Sequence, residues 1–248
     1  MSGELVAVAI VAFGIAGFVK GTIGIGLPTA AVSLFAQASG DTRLAISLAI
    51  VPMIVLNVWQ CWRAGSILAT LVRFRLVAVV MLTCIAIAAL GAARLSAPFV
   101  TLVLGLAISL FAATSLWREW PALPARLDLP AQIVTGISCG VLGGISGVWA
   151  PPLVIYLSAL RLDKDTFVRA TGVLLGLGSV VLAISYGVNG LLTSRQAGLG
   201  LMLVLPALLG YALGERWRDR LSGRAFRQAV LLFFLVMGLN LVRRATFA

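Results

Sequence analysis

The 248-residue chain contains no histidine, only three cysteines and few charged residues. Without histidine there is no Ser-His-Asp triad, no imidazole general base and no histidine-ligated catalytic zinc. Cys61, Cys84 and Cys139 form no closely spaced pair, which argues against a disulfide framework or an iron–sulfur site. These absences exclude most enzyme classes, and we expect no catalytic residue, no bound metal and no cofactor.

Carboxylates are scarce as well. All eight acidic residues lie outside or at the edge of the long apolar runs. Proton- and cation-coupled carriers usually hold an ionisable relay group at membrane depth, where such groups are costly and functional. The sequence therefore disfavours proton-coupled import.

Apolar residues make up 61% of the chain and charged residues 11%, with a mean hydropathy of +1.09. Soluble domains average about 45–50% apolar and about 25% charged residues. The composition predicts an all-α polytopic membrane protein. Six uninterrupted apolar runs are long enough to span a bilayer, namely 44–62, 76–93, 98–117, 167–188, 196–213 and 226–242.

Two further apolar stretches, 5–37 and 131–160, are interrupted by glycine and then proline. The interruptions match at a constant offset of 123 positions: Gly17, Gly21, Gly24 and Pro28 recur as Gly140, Gly144, Gly147 and Pro151. We therefore predict two repeats in one integrated membrane domain, 1–120 and 127–248. Each repeat has a broken segment followed by three spans, which gives about eight membrane segments in total.

The basic residues predict how the broken segments run. If each segment goes in and comes back, as a hairpin or a V, the loops 63–75, 118–130, 161–169 and 214–227 share one side with 13 Lys and Arg, against 5 on the other. If each segment crosses once, the split is 8 against 10. The positive-inside rule favours the first path, with cytoplasmic basic loops and both termini outside. Trp120 and other tryptophans at span ends on the basic side agree with it. The second repeat is then inverted relative to the first, as in many transporters.

The breaks themselves predict an anion site. With helical limbs of about 10–16 residues, at about 1.5 Å per residue, their tips would meet near the midplane. Pro28 and Pro151 suit the first turn of each returning helix, whose N-terminus points free N–H groups and a positive dipole end at the centre. Lys20 is the only basic residue inside a broken segment. Lys20 either interacts with the anion, directly or through water, or has a purely local role. In the local role its ammonium snorkels to the interface or pairs with the carbonyls at the end of its own helix.

The candidate substrate-binding residues come from the two breaks and from the second span. Thr22 and Ser146 could instead cap local backbone, and Trp149 could simply pack. Asn57 and Gln60, one turn apart, could line an access path or bond between helices. The glycines could serve helix packing instead of ligand approach. The predicted set is Lys20, Gly21, Thr22, Gly24, Pro28, Asn57, Gly144, Ser146, Gly147, Trp149 and Pro151.

The same residues resemble the TauE/SafE family of sulfite-exporter-like membrane proteins. The resemblance rests on the stretch from Gly17 to Pro28, on its counterpart from Gly140 to Pro152, on the span after Asp41-Thr42-Arg43, and on the Arg63-Ala64-Gly65 turn. It covers essentially the whole chain. It implies a seven- or eight-span bacterial inner-membrane transporter that exports sulfite, sulfonates or other small organic anions, or takes them up.

These observations leave three kinds of function. The first is export of a small anion, and the second is uptake of a sulfur-containing or carboxylate anion through the same site. The third is a non-transporting assembly or scaffold protein, which would have no reason to keep paired breaks; a channel is a further alternative. The expected partners are the anion and the lipid bilayer, and not nucleic acid, because the charge of +11 belongs mostly to the loops. The oligomeric state is open, a homodimer being one alternative.

Overall fold

The computed structural model describes residues 3–64, 67–117, 121–221 and 224–247. The regular structure of these residues is entirely helical, and eight of the helices are long and apolar enough to cross a membrane. The prediction of an all-α polytopic membrane protein with about eight segments is therefore confirmed. The helices are α1 Gly3–Ile23, α2 Leu27–Ser39, α3 Thr42–Ala64, α4 Ile67–Arg73, α5 Arg75–Ala92, α6 Ala97–Trp117, α7 Asp128–Ser146, α8 Ala150–Ala159, α9 Lys164–Val188, α10 Ser194–Leu221 and α11 Arg224–Phe247.

The six predicted spans correspond to α3, α5, α6, α9, α10 and α11. Three of these helices, α9, α10 and α11, extend beyond the apolar runs into polar sequence. The short helix α4, between the second and third membrane segments, was not predicted. Gly65 and Trp120, which entered the sequence argument, lie outside the described residues.

Both breaks form at the predicted glycines. Gly24 and its counterpart Gly147 have φ of +88° and +70°, and Gly26 has φ of +101°. This left-handed region is open to glycine at little cost. The helices α2 and α8 begin directly after the breaks, with proline in their first turns, where a missing N–H costs nothing.

The expected limb length of about 10–16 residues is wrong for the first limb of each broken segment. The helix α1 has 21 residues and α7 has 19, whereas the returning helices α2 and α8 have 13 and 10. The upstream glycines do not end the helix, because they pack closely against a neighbouring helix. A Cβ added at Gly17 would collide with the backbone at Ala207 of α10, and one at Gly140 would collide with Cys84 of α5.

Contacts at the helix ends show that the second broken segment turns back. The hydroxyl of Tyr156, late in α8, donates to Asp128 Oδ1 at the start of α7 over 2.8 Å. The N–H of Leu123, which precedes α7, donates to the carbonyl of Ala159 at the end of α8 over 2.8 Å. The end of α8 therefore lies at the level where α7 begins.

The directions of helix packing agree with this path. Gln60, near the end of α3, contacts Val168 near the start of α9, while Ser47 at the other end of α3 bonds to Leu191 just after α9. The helices α3 and α9 are thus antiparallel. They would be parallel if each broken segment crossed the membrane once.

The offset of 123 positions also reappears in three dimensions. Helix α1 packs on α10 and α7 packs on α5, each pair running parallel. The contact of Gly17 with Ala207 has a counterpart in the contact of Gly140 with Cys84. Gly140 lies 123 positions after Gly17, and Cys84 lies 123 positions before Ala207. This reciprocal packing is consistent with an inverted repeat, and the division into 1–120 and 127–248 stays a prediction.

Candidate functional site

Lys20 is the centre of a buried polar cluster. It lies in the last turn of α1 and is 2% exposed. Its ammonium donates to Asn57 Oδ1 over 2.8 Å and to Gln60 Oε1 over 2.7 Å, both on α3. Within the described part of the chain it has no carboxylate partner. Because an ammonium has three N–H donors, one remains for another acceptor.

The amide of Gln60 ties this cluster to a third helix. Its Nε2 donates to the carbonyl of Val168 over 2.8 Å and lies 3.3 Å from Thr171 Oγ1, both on α9. Gln60 thus positions the lysine through its oxygen and is itself held through its nitrogen. In the sequence it stood out only by its spacing from Asn57, and nothing there showed that both amides face Lys20.

A small cavity lies between the two breaks. Its walls come from both broken segments and from the middle of α3 and α9. Its free volume is about 10 Å³, the room of roughly one water molecule. The returning helices begin at this cavity, but Gly24 lies beside Val168 near the start of α9 and Gly147 beside Ile46 near the start of α3, at opposite ends of this antiparallel pair. The prediction that the two tips meet near the midplane is therefore not confirmed. The lining residues are Lys20, Gly26, Leu27, Pro28, Met53, Asn57, Trp149, Ala150 and Leu175.

The N-termini of α2 and α8 both border this cavity. The first turns of a helix have N–H groups without an intrahelical acceptor, and the dipole places partial positive charge there. The two ends are not equivalent, because Pro151 and Pro152 remove two N–H groups from the first turn of α8, whereas α2 loses only that of Pro28. More backbone donors are thus available at α2.

Trp149 closes the cavity from the second break. It is 1% exposed, and its Nε1 is buried with no hydrogen-bond partner in the described part of the chain. The indole occupies a slot between α7 and α9, where Gly143 and Gly178 leave room that a Cβ would fill. The packing interpretation explains the position of the ring, but it leaves the N–H donor without an acceptor.

The other predicted residues lie around the cavity without lining it. The Thr22 hydroxyl donates to the carbonyls of Phe18 and Val19, and the Ser146 hydroxyl to that of Leu142. These are bonds within their own helices, the alternative that the sequence had left open.

The predicted glycines allow close helix packing or left-handed backbone turns. Gly21 packs against the backbone of α10 and Gly144 against that of α5. Gly24 and Gly147 form the left-handed turns. Of the predicted set, Lys20, Pro28, Asn57 and Trp149 line the cavity, and Pro151 follows the lining residue Ala150.

The electrostatics of this site favour an anion. One ammonium, which has no carboxylate partner among the described residues, and two positive helix ends converge on a narrow cavity with buried walls. Charge interactions are stronger in such an environment than in water. Anion binding at helix N-termini is a general consequence of their free N–H groups and dipoles.

A family model described as sulfite exporter TauE/SafE matches residues 9–241 of this chain. No curated protein and no solved structure matches it. The match includes both breaks, every lining residue of the cavity and all eight long apolar helices in whole or in large part. The chain therefore belongs to the TauE/SafE sulfite exporter family of membrane transporters.

Proposed function

We propose that the chain carries a small anion across the membrane and binds it in the cavity between the two breaks. The observation that carries this proposal is Lys20, a buried ammonium that is held by two neutral amides and borders a cavity formed by two helix N-termini. A buried charge is costly unless it is compensated. An anionic substrate supplies the missing compensation.

The proposed substrates are sulfite, a sulfonate or a related organic anion, and the proposed direction is export. Moving one negative charge outward from a negative cytoplasm gains about 2.3 kcal/mol per 100 mV. At about 150 mV the gain is about 3.5 kcal/mol, which corresponds to a concentration ratio of several hundredfold. Export of this kind needs no relay carboxylate, in agreement with acidic residues that all lie at the edges of the apolar runs.

The cavity is too small for a multi-atom oxyanion, so transport requires the walls to separate. The pairs α1–α10 and α5–α7 are joined by close backbone contacts at glycines, whereas α3 meets α9 partly through the side chains of Asn57 and Gln60. Side-chain contacts can be exchanged more easily than backbone contacts at van der Waals distance. We propose that the α3–α9 contact is the one that rearranges.

The proposed location is the bacterial inner membrane, with both termini outside and the basic loops in the cytoplasm. The charge bias of 13 to 5 supports this orientation. Single cysteines placed at 246 and in the loop after α6 should react with a membrane-impermeant maleimide from opposite sides. Labelling of both from one side would contradict the proposed path.

Flux in proteoliposomes tests the function directly. Vesicles loaded with radiolabelled sulfite or methanesulfonate should lose the anion faster when a potassium–valinomycin potential makes the interior negative. The rate should saturate with anion concentration. A scaffold protein gives no flux above empty vesicles, a channel gives flux without saturation, and proton-coupled uptake responds to a pH gradient instead of to the potential.

A further inference from the structure

We propose that Asn57 and Trp149 are hydrogen-bond donors to the substrate, and that the cavity thereby selects oxyanions that carry no cationic or donor group of their own. This inference rests on the proposed function, whose site it describes in more detail. It concerns which small anions are accepted. Three features support it: the orientation of one amide, one buried indole N–H, and the absence of a free side-chain acceptor among the lining residues.

The orientation of the Asn57 amide is fixed by Lys20. An ammonium can only donate, so the amide oxygen of Asn57 must face it, as the 2.8 Å contact shows. The Nδ2 group is then turned away from the lysine. Asn57 lines the cavity, and among the described residues Nδ2 has no acceptor. It therefore has two N–H donors to offer to a ligand.

Trp149 supplies a second donor from the opposite break. At the repeat offset of 123, Gly143 corresponds to Lys20 and Trp149 corresponds to Gly26. The six-membered ring of the indole lies against Gly143, whereas Nε1 lies against Gly178 of α9, one turn beyond the lining residue Leu175. Separation of α3 from α9, as proposed above, exposes this N–H to the ligand. The Nε1 group is buried and finds no partner among residues 3–64, 67–117, 121–221 and 224–247. Such a group is costly in a folded protein, and a ligand that brings an acceptor relieves the cost.

Acceptors are missing from the same walls. The only strong side-chain acceptor among the lining residues is Asn57 Oδ1, and Lys20 already occupies it. An oxyanion with several acceptor oxygens can satisfy the Lys20, Asn57 and Trp149 donors together. A substrate that also carries an ammonium would bring a cation next to Lys20 and find no acceptor for its N–H groups.

Ethanesulfonate and 2-aminoethanesulfonate form a matched pair of probes, because they share the sulfonate and differ in the ammonium. We expect the purified full-length protein to bind ethanesulfonate at least tenfold more tightly, as measured by calorimetry or ligand-dependent thermal shift. Trp149→Phe keeps the ring and removes the N–H, and it should weaken ethanesulfonate binding about tenfold. Trp59→Phe, at an exposed position on α3, is the matched control and should bind as wild type.

Asn57→Asp keeps the size of the side chain but replaces the donor by an acceptor that pairs with Lys20. It should weaken ethanesulfonate binding and narrow the preference over 2-aminoethanesulfonate to less than threefold. Wild-type affinity in Trp149→Phe, or equal binding of the two probes by the wild type, would overturn the inference and leave the proposed function intact. Absence of both anion binding and anion flux in the wild type would instead refute the proposed function.

Discussion

Replacing Lys20 by methionine should remove anion binding while the fold survives. Methionine is unbranched and of similar length, so it can fill the space next to α3. The substitution removes a cation that contacts two amides and borders the cavity. With an effective dielectric constant of about 20, unit charges about 5 Å apart attract each other by about 3 kcal/mol. The dissociation constant should therefore rise by about two orders of magnitude.

The free energy of unfolding should change much less. Two charge-assisted hydrogen bonds are lost, but the cost of burying an ammonium without a carboxylate partner is lost with them. These terms have opposite signs, and we expect a net change within about 2 kcal/mol. Thermal unfolding in detergent measures it. Lys164→Met, at the only other lysine of the chain and at the start of α9, is the matched control.

Two measurements on the same samples decide the point. Ligand-dependent thermal shift gives the affinity for sulfite and methanesulfonate, and proteoliposome efflux gives the rate at saturating anion. A Lys20→Met protein that is folded and binds both anions as tightly as wild type would refute the assignment of the site. An unfolded variant would show that Lys20 has a structural role, and Lys20→Gln would then carry the test, because its amide can donate to Asn57 without a charge.

Two further predictions concern the second break and the N-terminal cap of α9. Gly147→Ala should lower stability more than Gly190→Ala, because both glycines have φ near +70° but only at Gly147 would the new Cβ also collide with Ile46. The left-handed backbone of an alanine costs about 1–2 kcal/mol at either position. Equal melting temperatures of the two variants would contradict the collision. Asp163 caps α9 by accepting the Thr166 N–H over 2.9 Å, which holds the pKa of its carboxyl below its ordinary value. Its contribution is thus present above the ordinary pKa and fades as pH falls through the lowered one, so the difference in melting temperature between wild type and Asp163→Ala should be larger at pH 7 than at pH 3.

The sequence predicted well those features that depend on local pattern. Apolar run length gave the spans, because a bilayer requires about 20 apolar residues per crossing whatever the neighbouring helices are. Glycine followed by proline gave the breaks, because left-handed backbone and a proline-bearing first turn are properties of single residues. The charge bias gave an in-and-back path that the antiparallel packing of α3 and α9 supports.

Local pattern did not predict where each broken segment stops being helical. Gly17 and Gly140 belong to the same motif as Gly24 and Gly147, yet they remain inside α1 and α7. The difference comes from the close contact with α10 and α5, which uses the missing Cβ for packing and leaves the backbone hydrogen bonds in place. A single sequence does not show which neighbour a glycine meets.

The sequence by itself determined that a lysine lies within a broken segment, that its counterpart segment carries a tryptophan, and that no carboxylate is available at mid-membrane. The tertiary structure decided that Lys20 faces Asn57 and Gln60, 37 and 40 positions away, and that the indole of Trp149 lies across the same cavity. The physical reason is that both facts depend on how helices are rotated and shifted against one another. Hydrophobicity in a lipid environment is nearly uniform around such helices, so rotation is set by close packing at small residues, which only the assembled bundle reveals.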